Sequence, residues 1–127
     1  IGVQITPLLE LLEAYKNRGH VFYRSIECPD SCFSKENLKA VHDVVYNKPY
    51  DINPIDWVEA FLQVDFNPQK TDRFWCSALV GCIYTKCGLL QKNTDWSIMT
   101  PNDLSLSGEN LNWNSKCSLK NELKQIM

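Results

Sequence analysis

Apolar residues return at steps of three and four in four stretches of the chain, and each stretch predicts a helix. In the first, Leu8, Leu11, Leu12 and Tyr15 form a stripe, with Glu10 and Glu13 elsewhere around the turn. Thr6 is the expected N-cap, Pro7 the first helical residue and Asn17-Arg18-Gly19 the end. In the second, Ser34 caps a helix that turns Leu38, Val41, Val44 and Val45 inward and closes at Asn47-Lys48-Pro49. The third opens at Asn53-Pro54-Ile55-Asp56 and carries Trp57, Ala60, Phe61 and Val64. The fourth lies within Thr71–Leu90. There Leu79, Val80, Ile83 and Cys87 follow Cys76 on one face, and Gly88 stands where a left-handed residue ends a helix.

Between and beyond these helices the pattern changes. His20–Ile26 is rich in β-formers and reads as a strand. Cys28-Pro-Asp-Ser-Cys32 is a turn, and Asn67–Arg73 a polar loop leading to Cys76. Thr100-Pro101-Asn102-Asp103 reads as a capped single turn and Leu111–Trp113 as a short strand. In the tail, Leu119, Leu123 and Ile126 align at helical spacing, which predicts weak helix over Ser118–Met127. No repeat, low-complexity run or linker divides the chain. The 127 residues make one domain, mostly helical with few strands in view.

Composition narrows the function without naming it. An apolar content of 44% and a charged content of 22% are those of an ordinary globular domain. A net charge of −2 with scattered Lys and Arg gives no footprint for nucleic acid. No apolar run reaches membrane-spanning length; the longest candidate, Ala78 to Leu90, is broken by Lys86 and Gly88. The six cysteines are even enough for three bridges. However, Cys82 and Cys87 sit among core-helix residues, and the chain is long enough not to need crosslinks. Reduced thiols and an intracellular, non-secreted setting are expected.

Cys76 is the candidate nucleophile. At a helix start its thiol feels the unpaired N–H groups and the positive end of the helix dipole, which favour thiolate over thiol. The competing reading is an inert buried cysteine. A nucleophile needs a base within hydrogen-bond reach, a group orienting that base, and donors for the oxyanion; the Cys76 N–H is one such donor. Two histidines are present. His42 lies within a helix beside Asp43, as a surface or half-buried residue would. His20 opens a strand, which suits a base better, but it also reads as a loop residue after Gly19. The CxxxC spacing of Cys28 and Cys32 is at the loose end of structural zinc sites, with no second close pair following. No metal or cofactor is therefore expected, and a labile disulfide within that turn is an alternative. Trp57, Trp75, Trp96 and Trp113 read as core or groove wall.

Four stretches carry a resemblance: GVQITPLLELLEAYKNRGHVFYRSI, NKPYDI, RFWCSALVGCIYTKCGLL and TPNDL. In order and spacing, from residue 2 to about residue 104, the chain resembles the circularly permuted papain-fold family related to the NlpC cell-wall peptidases. That family includes bacterial YiiX-type enzymes and proteins of large DNA viruses. The cysteine stretch and TPND are its specific parts.

The resemblance implies an α+β, permuted papain-like fold, with the Cys76 helix packed centrally on an antiparallel sheet. It also implies a cysteine hydrolase acting on a peptide, amide or ester, with Cys76 as nucleophile and Trp75, Cys76 and Ser77 at the substrate or oxyanion side. In that family the catalytic histidine precedes the cysteine on an early strand. Ile1–Ile26 resembles the part that follows those strands, so the base role does not pass to His20. A histidine strand upstream of Ile1 is expected, and the non-methionine start suits an N-terminally incomplete domain. The alternative is an inactive scaffold serving as a virion, assembly or interaction protein, placed in host cytoplasm or virion.

Overall fold

The computed structural model describes residues 2–50, 71–108 and 111–127. The helix expected from Asn53, with Trp57, Ala60, Phe61 and Val64, lies outside the described residues, as does the loop before residue 71. The described elements are helix α1 (Leu8–Tyr15), strand β1 (Phe22–Glu27), helix α2 (Lys35–Val45), helix α3 (Cys76–Lys86) and strand β2 (Ser118–Gln125). Short 3-10 turns occupy Asp30–Phe33, Trp96–Ile98 and Pro101–Leu104. The architecture is mixed helix and antiparallel sheet, α+β.

Local signals are obeyed where capping chemistry is complete. The Ser34 hydroxyl accepts the Asn37 N–H at 3.2 Å and opens α2, whose Val41 and Val45 are buried. Asp103 accepts the Thr100 N–H at 2.8 Å and the Thr100 hydroxyl at 3.2 Å, closing the Thr100–Asp103 capping box. Helix α1 departs from expectation. It starts after Pro7 without a side-chain cap, so Thr6 is not its cap, and none of its residues is buried. Leu8, Leu9, Leu11 and Tyr15 all stay exposed.

The tail is a strand, not the expected weak helix. β2 pairs antiparallel with β1, from Phe22↔Gln125 to Glu27↔Ser118, with a register irregularity between Arg24 and Ile26. Arg24 occupies that irregularity. Its Nε donates to the Lys120 carbonyl at 2.6 Å, and its Nη1 donates to the Leu104 and Ser105 carbonyls at 2.8 and 2.9 Å. One guanidinium thus ties both strands to the capped turn. The Leu111–Trp113 strand reduces to a single antiparallel bridge, Leu90↔Trp113.

Helix α3 is the centre of the core, but its inner face differs from the expected one. Ser77, Ala78, Gly81 and Cys82 are buried, while Leu79, Val80 and Ile83 are only half-buried. Apolar residues surround this helix, so periodicity alone does not select the face. Size does: a Cβ on Gly81 would lie 2.8 Å from the Trp96 Cβ and closer still to the Met99 sulfur. The small residues therefore let the Trp96–Met99 segment come close to the helix axis. Packing is chiefly against that turn, with α2 and the turn Pro101–Leu104 beside it, and the sheet reaches the core through Ile26. The helix ends at Gly88, φ +84°, where the Asn114 side chain donates to the Gly88 and Leu90 carbonyls at 2.8 and 3.1 Å.

Burial pushes the Cys82 thiol up from 9.0 to about 11. With a raised folded value, the thiol stays neutral in both states below about pH 9, and stability is lost as pH rises towards 11. The loss is roughly 3 kcal/mol. Urea midpoints measured under reductant at pH 8, 10 and 11 should fall steeply for the native chain and less steeply for Cys82→Ala. Identical slopes would remove Cys82 as the cause.

Among the described residues, no helix is long and apolar enough to cross a membrane.

Candidate active site

Cys76 begins α3 and its side chain is exposed. Trp75 enters the helix in extended backbone, φ −97° and ψ 169°, and no side chain caps the helix start. The first intrahelical bond runs from the Leu79 N–H to the Trp75 carbonyl, 2.9 Å. Among the described residues, no N-cap side chain takes up the N–H groups of the opening turn beside the thiol.

Two short extended segments hold this entry in place. Phe74 donates its N–H to the Pro49 carbonyl at 3.0 Å and bridges in parallel to Tyr50. On the other side, Val3 donates to the Lys48 carbonyl at 2.8 Å and accepts from Asn47 at 2.7 Å. Gly2 is needed there, because a Cβ would stand 2.5 Å from the Lys48 oxygen. Together these segments wall a cleft of about 590 Å³, lined among others by Val3, Tyr15, Tyr50, Trp75, Cys76 and Leu79. That volume suits a small-molecule or side-chain-sized ligand.

Of the three residues expected at the site, Cys76 and Trp75 line the cleft and Ser77 does not. Ser77 is buried, and its hydroxyl donates to the Met99 carbonyl at 2.6 Å. Its side chain fastens the helix to the neighbouring turn, so only its backbone N–H remains as a donor at the helix start. The Trp75 indole Nε1 is buried and has no hydrogen-bond partner among the described residues. Tyr15, Tyr50 and the segment Gly2–Gln4 were not singled out from sequence. The only signal was their place in stretches that looked like helix stripe, turn and lead.

Neither histidine lines the cleft. His20 is exposed and accepts from the Gln125 side chain at 2.9 Å through Nδ1, at the paired end of the sheet. His42 stacks on Tyr46 at 4.8 Å and contacts Asp43 at 3.4 Å on α2. The buried Asp103 carboxylate is occupied by its capping box and orients no base. All six cysteines are free thiols. Among the described residues, no three His, Cys, Asp or Glu side chains are grouped to hold a metal ion. The chain's own contribution at this place is therefore an exposed thiol at a helix start beside an apolar wall.

Comparison with protein-family models, with curated proteins and with solved structures found no match.

Proposed function

We propose that this chain is a cysteine hydrolase with a circularly permuted, NlpC-related papain-like fold, acting on an amide or ester. One observation carries the reading: an exposed thiol at an uncapped helix start, facing an open and largely apolar cleft. The Cys76 thiolate attacks the substrate carbonyl carbon, and the developing oxyanion takes hydrogen bonds from N–H groups of the first helical turn. Trp75 Nε1, a donor lacking a partner among the described residues, is a second candidate for that oxygen. Collapse of the tetrahedral intermediate breaks the C–N or C–O bond and expels the protonated amine or alcohol, and water then hydrolyses the acyl-thioester to the free acid and the Cys76 thiol. The aromatic walls, Tyr15, Tyr50 and Trp75, favour a substrate with an apolar or aromatic portion. The base and leaving-group acid is a histidine carried outside residues 1–127. Six free thiols suit a reducing compartment, either host cytoplasm or the interior of a virion.

The position of His20 and His42, both away from the cleft, favours a second reading. In that reading the domain is an inactive scaffold within a virion or assembly. The test is hydrolysis of a panel of fluorogenic amides and esters by the full-length protein. Cys76→Ala is expected to lower turnover at least about 10³-fold. Hydrolysis that survives Cys76→Ala overturns the nucleophile assignment, and a panel with no turnover at all leaves the scaffold as the better account.

A further inference from the structure

Beyond the end of α3 opposite Cys76, about 16 Å away along an 11-residue helix, Cys32, Cys87 and Cys117 belong to one buried cluster and Cys28 packs against it. Cys87 follows the helix. Cys28 directly follows β1 and Cys117 directly precedes β2. Because the last ladder pair is Glu27↔Ser118, Cys28 and Cys117 are the next residues across the sheet end. Cross-strand neighbours have Cα atoms about 4.5–5.5 Å apart, within the range a disulfide spans. Cys32 is folded back over them by the turn Asp30–Phe33, with its N–H on the Pro29 carbonyl at 3.0 Å. Burial, and after it the neighbouring Cys32, pushes both the Cys28 and the Cys117 thiols up.

Access differs sharply among the four. Cys32, Cys87 and Cys117 are 9%, 2% and 7% exposed. Cys28 is half-buried and lines an open surface pocket together with Lys116. A small reagent therefore meets Cys28 first, beside a cation that attracts an anionic reagent.

We propose that Cys28, Cys32 and Cys117 form a thiol–disulfide exchange site that accepts a low-molecular-weight disulfide of the glutathione type and keeps the oxidation as a Cys32–Cys117 bridge. In the first step the Cys28 thiolate attacks one sulfur of glutathione disulfide, breaking its S–S bond and releasing one glutathione, which takes up the proton. The Cys32 thiolate then attacks the Cys28 sulfur, expels the second glutathione and forms Cys28–Cys32. Finally the Cys117 thiolate attacks the Cys32 sulfur and returns Cys28 to the thiol. Two electrons pass from two protein thiols to one glutathione disulfide, giving one protein disulfide and two glutathiones. The inner bridge is the resting product because Cys32 and Cys117 are both buried, which shields it from reductant.

Burial pushes the Cys28 and Cys117 thiols up, so exchange is slow near neutral pH and hours of incubation are needed. The full chain carrying Cys76→Ala, which removes the exposed thiol, is incubated over a series of glutathione disulfide to glutathione ratios. It is then quenched in acid and mapped by peptide mass spectrometry. One intramolecular bridge, Cys32–Cys117, is expected, with a melting temperature higher than that of the reduced protein by on the order of 10 °C. Cys28→Ser, at a half-exposed position, is expected to slow bridge formation at least about tenfold. Three results overturn the proposal: no bridge among these three cysteines at any ratio, a Cys28→Ser variant that oxidises at the unchanged rate, or one tightly bound zinc per chain protecting the thiols.

Discussion

Brief treatment of the native protein with iodoacetamide at neutral pH modifies Cys76 first, at least about ten times faster than any other cysteine. The contrast is built by the fold. Cys76 is exposed, whereas Cys32, Cys82, Cys87 and Cys117 are buried. Burial also pushes Cys82 up to about 11 and raises Cys28, Cys87 and Cys117, which keeps those sulfurs protonated and slow. Timed quenching and peptide mapping give each rate separately, and the same reaction in urea should bring the six rates together. If Cys76 is modified last, or if Cys28 outruns it, the helix-start thiol is not the reactive group of this molecule.

Trp96→Ala is expected to destabilise the chain by about 3–5 kcal/mol, a large share of the roughly 5–15 kcal/mol that holds a domain of this size together. Trp96 is 2% exposed and stacks on Phe74 with ring centroids 5.6 Å apart. Its Cβ also lies against the one place on α3 where no side chain intervenes, Gly81. Removing the indole leaves a cavity between the helix and its turn. It also frees Phe74, which is buried and lines the cleft beside Cys76. Urea unfolding of the two proteins measures the first effect. Repeating the thiol map on Trp96→Ala measures the second, where the lead of Cys76 over the buried cysteines should shrink. A loss below about 1 kcal/mol would mean that the site collapses to fill the space, and that Phe74 is held by something else.

What could be read from sequence follows from how local each determinant is. The Thr100–Asp103 box and the Ser34 cap involve residues three apart, so composition and spacing are enough to foresee them. The start of α3 at Cys76 and its end before Gly88 are legible for the same reason. The strand at Ser118–Gln125 was not legible. Leu119, Leu123 and Ile126 sit at helical steps, and the decisive partner, β1, lies at the other end of the chain. The inner face of α3 was missed because large apolar residues suggested one stripe, while the approach of Trp96 and Met99 required the small one. Ser77, placed at the site by the resemblance, has its hydroxyl on that inner face. Tyr15 and Tyr50 reach the cleft only through tertiary packing, which no periodicity encodes.

The pairing of β1 with β2 also sets a timetable. His20 and Gln125, joined at the open end of the sheet, are 105 residues apart in the chain, and Val21 exchanges backbone hydrogen bonds with Ile126 and Met127, both 2.9 Å. A ribosome adding about 5–20 residues per second therefore leaves β1 without its partner for on the order of 5–20 s. Helices α2 and α3 form from nearby residues and need not wait. During that interval Phe22 and Tyr23, exposed even in the finished sheet, stand on an open strand edge able to pair with another nascent chain. Faster translation of the last hundred codons, or a chaperone holding the first strand, would raise the yield of folded protein without altering its final stability.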